Sequence, residues 1–139
     1  MKKLSSVRIF QGPRCGAGRS LAVLAMLLSA GALAHAELVE IAWDAQGQFK
    51  HSATLKPGKM LEVCGRLSKD AVVNWRFSAG QPVDFNIHYH QGKQVVFPAK
   101  QEGVASADGI LKAAVDQDYC WMWTSRSAEP AALELQLDR

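Results

Sequence analysis

Beyond residue 36, only two of the three histidines lie close together: His88 and His90, at the end of the run VVNWRFSAGQPVDFNIHYH that begins at Val72. Alternate residues of a strand share a face, so both imidazoles project the same way, roughly 6.5–7 Å apart along the chain. Such a pair can clamp copper or zinc when a further ligand comes from a neighbouring strand, and Met122 and Met60 are the soft side chains in step with it. Two facts stand against a metal. The usual blue-copper order puts a His and a Met shortly after the Cys, and no His follows Cys120. If Cys64 and Cys120 are joined, no thiolate is left to bind an ion. The plainer expectation is a solvated polar strand face, with Asn86, His88 and His90 as the candidate ligand-binding residues and no cofactor; copper or zinc on His88, His90, Met122 and Met60 is the alternative.

Other reactive side chains are scattered. Asp116 and Asp118 suit a turn that caps backbone amides, and Glu37, Glu40 and Glu62 are dispersed along strands. No serine or cysteine stands in a recognisable nucleophile setting with its base, and no phosphate loop or nucleotide fingerprint occurs. The expectation is a protein that binds rather than catalyses, with no catalytic residues. Tyr119, Trp121 and Trp123 alternate with Cys120, Met122 and Thr124, so one face of that strand is wholly aromatic. Three rings are what a small domain needs to bury area, so they are expected in the core rather than in an exposed binding strip.

The elements that must hold these groups are strands. Val73, Trp75 and Phe77 alternate with polar residues, and after a break at Ser78–Pro82 so do Phe85, Ile87 and Tyr89. Apolar groups on one parity and polar groups on the other predict a sheet with one buried and one wetted face. Further strands are expected from Leu38 to Trp43, Phe49 to Leu55, Met60 to Leu67, Gln94 to Phe97, Gly109 to Val115, Tyr119 to Thr124 and Leu133 to Leu137. Turns are read at Asp44–Gly47, Pro57–Gly58, Gln91–Lys93 and Asp116–Asp118. Pro98 is expected to stop its strand, and Ala99 to Asp108, without a clear period, to be a surface crossing. About eight short strands with no helical segment predict an all-β antiparallel, jelly-roll-like sandwich in residues 37–139.

The first 36 residues read as a signal peptide. Lys2, Lys3, Arg8, Arg14 and Arg19 form a basic leader without acids, Leu21 to Ala30 is apolar, and Ala34-His35-Ala36 has the small-x-small form of a cleavage site. The apolar part falls short of the ~18 residues of a membrane span. Cys15 precedes the apolar run and is not placed as a lipid acceptor. The remainder carries 11 basic and 13 acidic residues, so the basic charge of the whole belongs to the leader and a nucleic-acid partner is not expected. A periplasmic or secreted location follows. In an oxidising compartment the simplest state of Cys64 and Cys120 is one disulfide, closing a loop of nearly sixty residues.

The order of a Leu61-x-x-x-Gly65 strand, Val73-Asn74-Trp75-Arg76-Phe77, Val83-Asp84-Phe85-Asn86-Ile87 and Tyr119-Cys120-Trp121-Met122-Trp123-Thr124-Ser125 resembles the Golgi-dynamics (GOLD) domain. That β-sandwich occurs in vesicle cargo receptors and lipid-transfer proteins. The resemblance spans roughly Leu55 to Leu137; Thr124-Ser125 stand where the lipid-transfer group favours Asp-Asn. It implies a non-enzymatic module that binds protein or lipid, and the trafficking role does not carry over to an exported chain.

Overall fold

The computed structural model describes residues 36–139, so the expected signal peptide lies outside the described residues. Seven strands make up this part: β1 (Glu37–Glu40), β2 (Gln48–Leu55), β3 (Met60–Leu67), β4 (Val72–Gln91), β5 (Gln94–Lys112), β6 (Gln117–Ser125) and β7 (Ala131–Asp138). There is no α-helix among the described residues, and the all-β sandwich expectation holds.

The architecture turns on β4. Its first half, Asn74 to Ala79, pairs with β7, and its second half, Val83 to Tyr89, pairs with β6, while β5 runs antiparallel to nearly its whole length. The strands form one hydrogen-bonded sheet in the order β1-β3-β6-β4-β7-β2 with β5 also on β4, and β4 belongs to both of its halves, β1-β3-β6-β4-β5 and β2-β7-β4-β5; the Ser78–Pro82 segment read as a break is a bend within β4. Odd-numbered residues stay inside on both sides of the bend: Val73, Trp75 and Phe77 before it, Val83, Phe85, Ile87 and Tyr89 after it are all buried. Every pairing is antiparallel except β1 with β3, which is parallel.

Two expectations fail for one reason. Ala99 to Asp108 is not a crossing, and Pro98 does not end its strand; both lie within β5. The register with β4 shifts at three places, between Ser78 and Val83 at the bend, between Val83 and Phe85, and between Ile87 and Tyr89, and the last two are bulges on β5 that break its in-out alternation. Gly103, with φ of 65°, occupies the first bulge, and its N–H donates to Asp84 Oδ1 at 3.1 Å. Phe97 and Pro98 fill the second, and Pro98 is tolerated because β5 has a paired strand on one side only. The expected turn at Asp116–Asp118 is also shorter than read, β6 starting at Gln117. Three other turns are where the sequence puts them. Gly58 and Gly92 take φ of 66° and 62°, and Asp44 Oδ1 accepts from the N–H groups of Gln46 and Gln48 at 2.9 and 2.7 Å.

Tyr119, Trp121 and Trp123 are completely buried, in contact with an aromatic group that includes Phe77, Phe85 and Tyr89. The aromatic face is core, as expected. Tyr119 Oη accepts from the N–H groups of Ala114 and Val115 at 2.9 and 3.3 Å, tying the segment before β6 to the strand. The closest packing is at Gly109, directly opposite Trp75 on the inner face. A Cβ there would stand 2.7 Å from Cζ2 of the buried indole. Gly109→Ala should therefore cost about 1–3 kcal/mol by overpacking, read as a lower urea midpoint with unchanged slope; an unchanged midpoint would show that the ring moves freely.

Candidate functional site

The candidate residues lie on the outer face of the β3-β6-β4-β5 sheet, and register sets their rows. Glu62 opposes Met122, which opposes Asn86; Cys64 opposes Cys120, which opposes His88. Met60 and Asp84 both oppose Thr124 in the row beyond. Cys64 and Cys120 are bonded across β3 and β6 with Cα atoms 4.1 Å apart, as expected. The bridge closes a loop across a sequence separation of 56, which on the chain-entropy account stabilises the fold by about 4 kcal/mol.

The wetted-face expectation is corrected here. Asn86 and His88 are only 8% and 7% exposed, and His90 alone of the three is exposed. The cause is the second bulge of β5: Ile87 pairs with Ala99 and Tyr89 with Val96, so Phe97 and Pro98 together face the single residue His88. The Phe97 ring lies 6.0 Å from the His88 ring, centroid to centroid, and Phe97 itself remains 50% exposed. A residue read only as strand filler thus forms the lid of the polar pair, and the alternation carries no sign of it because the bulge is what turns it.

His88 Nδ1 lies 2.9 Å from Asn86 Oδ1. An amide oxygen only accepts, so Nδ1 carries the proton and Nε2 of the neutral ring keeps its lone pair. The pKa of His88 is lowered from the ordinary value of 6.5 mainly by burial; Glu62 opposes this by attraction, and His90 adds a smaller lowering. The ring centroids of His88 and His90 are 5.6 Å apart, and Met122 is a diagonal neighbour on the adjacent strand. Met60 is two rows and two strands from His88, roughly 16 Å by strand spacing, so the four residues of the metal alternative do not converge.

Beside these residues an open depression of ≈ 270 Å³ is bordered by Asn86, Phe97, Lys100, Met122 and Arg126. Arg126 pairs with Asp84, and Lys100 with Glu102, at 3.5 Å. A larger depression of ≈ 610 Å³ lies on the outer face of the other half of the sheet, against Asn74, Arg76, Asp108, Ile110, Gln136 and Asp138. The sequence pattern did not single it out, because its polar residues are ordinary outward positions of β4, β5 and β7; Trp75, Phe77, Gly109 and Ile110 line it as well. Buried donors without partners occur in the core, at Nε1 of Trp121 and of Trp123.

No family model matches the sequence, and no curated protein does. Solved structures do match in fold. The periplasmic g-type lysozyme inhibitor PliG of Aeromonas hydrophila aligns at TM-score 0.53 and 12% identity, over 74% of this chain and 96% of its own. PliG of Salmonella Typhimurium gives 0.53 and 12%, over 73% and 96%. The pre-peptidase C-terminal domain of Bacillus anthracis collagenase gives 0.55 and 11%, over 75% and 95%. At these identities the likeness is one of fold, and it agrees with the β-sandwich that the sequence implies.

Burial of His88 links the site to folding. Its folded pKa lies below that of the unfolded chain, so between the two values the unfolded state binds more protons and stability is lost as pH falls through about 6.5 toward the lower value. His88→Gln keeps a polar partner for Asn86 and removes the titration. The parent should lose melting temperature between about pH 7.5 and 5.5 more steeply than this variant. Parallel curves would show that His88 is not buried in its neutral form.

Proposed function

We propose that the chain is cleaved before Glu37, enters the periplasm and acts there as a non-enzymatic module that binds a folded protein partner. The docking surface is the outer face of the β3-β6-β4-β5 sheet, centred on Phe97 with His90 beside it. The observation that carries this is the placement of Phe97: a half-exposed aromatic ring on a bulge, seated on a buried Asn86–His88 pair and backed by the disulfide-linked strands. An apolar ring held rigidly in a polar rim is the composition of a binding hot spot, because little side-chain freedom is lost when it is covered.

The fold shared with periplasmic inhibitors that take a protein partner supports the class of function. The depressions are open rather than enclosed, which favours a protein surface over a small ligand. The GOLD resemblance of the strand motifs belongs to the same reading, as a second kind of β-sandwich that works by binding.

The test is binding of the exported protein to g-type lysozyme, as the first defined partner, and to fractionated periplasmic proteins. A saturable complex is expected, weakened about tenfold or more by Phe97→Ser with unchanged melting temperature. A complex indifferent to that substitution removes this face from the interface, and the lack of any saturable complex ends the protein-binding reading.

A further inference from the structure

The disulfide has a third residue against it. A carboxylate oxygen of Glu62 and the sulfurs of Cys64 and Cys120 all lie within 4.8 Å of one another, and all three residues are partly buried. Glu62 and Cys64 share the outer face of β3 two residues apart, and Cys120 is Cys64's direct partner on β6. Two cysteines and a carboxylate are a zinc ligand set, except that bonded sulfurs are poor donors. We propose that the Cys64–Cys120 disulfide is the oxidised, closed form of a zinc site, which opens when the bond is reduced and then holds the ion through Glu62, Cys64 and Cys120.

The chemistry balances. A dithiol reductant gives two electrons and two protons to the S–S bond, leaving two thiols and becoming a disulfide itself. Zinc then displaces both thiol protons and takes two thiolates and one carboxylate oxygen, with water in the fourth position. Tetrahedral zinc with bonds of ~2.0–2.3 Å needs ligand atoms about 3.6–3.8 Å apart, a separation the sulfurs reach once the bond between them is gone and strand pairing keeps their Cα atoms opposed. Because the ion displaces both thiol protons, uptake weakens as pH falls. His88 is not one of the three ligands. It opposes Cys120 from β4, and attraction to Glu62 already acts on it, so it borders the site from the other side.

The experiment adds cobalt(II), and then zinc, to the exported protein before and after reduction by a trialkylphosphine under argon. The phosphine takes up the oxygen of water as the disulfide becomes two thiols. Near-ultraviolet dichroism of the buried Trp121 and Trp123 reports the fold throughout. The expected result is one ion per chain only after reduction, with a thiolate-to-cobalt absorption band. Zinc should raise the melting temperature of the reduced protein and not that of the oxidised one. Glu62→Gln, which retains the disulfide, should weaken uptake about tenfold or more, and Cys64→Ser should abolish the band. Four results overturn the site: no uptake by the reduced protein, equal uptake before reduction, uptake lost in the His88→Gln, His90→Gln double variant but kept in Cys64→Ser, or a reduced chain whose tryptophan signal is lost and not restored by zinc.

Discussion

A strand shared by both halves of a sheet has to keep its side-chain parity through the bend that joins them. In β4 it does: odd residues from Val73 to Tyr89 face the core on both sides of Gly80-Gln81-Pro82. Had the bend consumed an odd number of residues, Phe85, Ile87 and Tyr89 would have turned outward and Asn86, His88 and His90 inward. Much else follows from that constraint. β6 and β7 each find a half of β4 to pair with, their own inner residues meet across a single aromatic core, and the polar face of the second half comes to lie beside the disulfide.

That parity is why so much of the fold was legible. Alternation in Val72 to His90 keeps the same parity on both sides of the Ser78–Pro82 break because one strand runs through it, and Tyr119, Trp121 and Trp123 were assigned to the core on the same ground of alternation. The opposite holds for β5, whose pairing with β4 is irregular at three places, two of them bulges of its own. Each bulge puts one extra residue on β5, and each resets its alternation, so the strand looked like a short strand, a proline stop and an aperiodic crossing. Periodicity reports regular pairing. Where a strand pays out length to follow a curve, the pattern that would reveal it is what the curve removes.

The site was legible in its residues and not in its environment. The sequence placed Asn86, His88 and His90 on one face, and they share it; it could not show that two of the three are covered. Cover comes from Phe97, eleven residues past Asn86, brought over His88 by a bulge that only the pairing register discloses. Glu62 is a different case. It shares parity with Cys64 two residues on, a relation visible in the sequence, yet its bearing on the cysteines depends on Cys64 and Cys120 being direct partners, which requires the register of β3 with β6.

Burial without a charged partner also explains why the Asn86–His88 pair is better suited to positioning than to display. A neutral imidazole bonded to an amide holds one orientation and leaves one lone pair, with the Phe97 ring 6.0 Å away. Charging that ring would add a cation under an aromatic lid with His90 close by and only Glu62 to favour it.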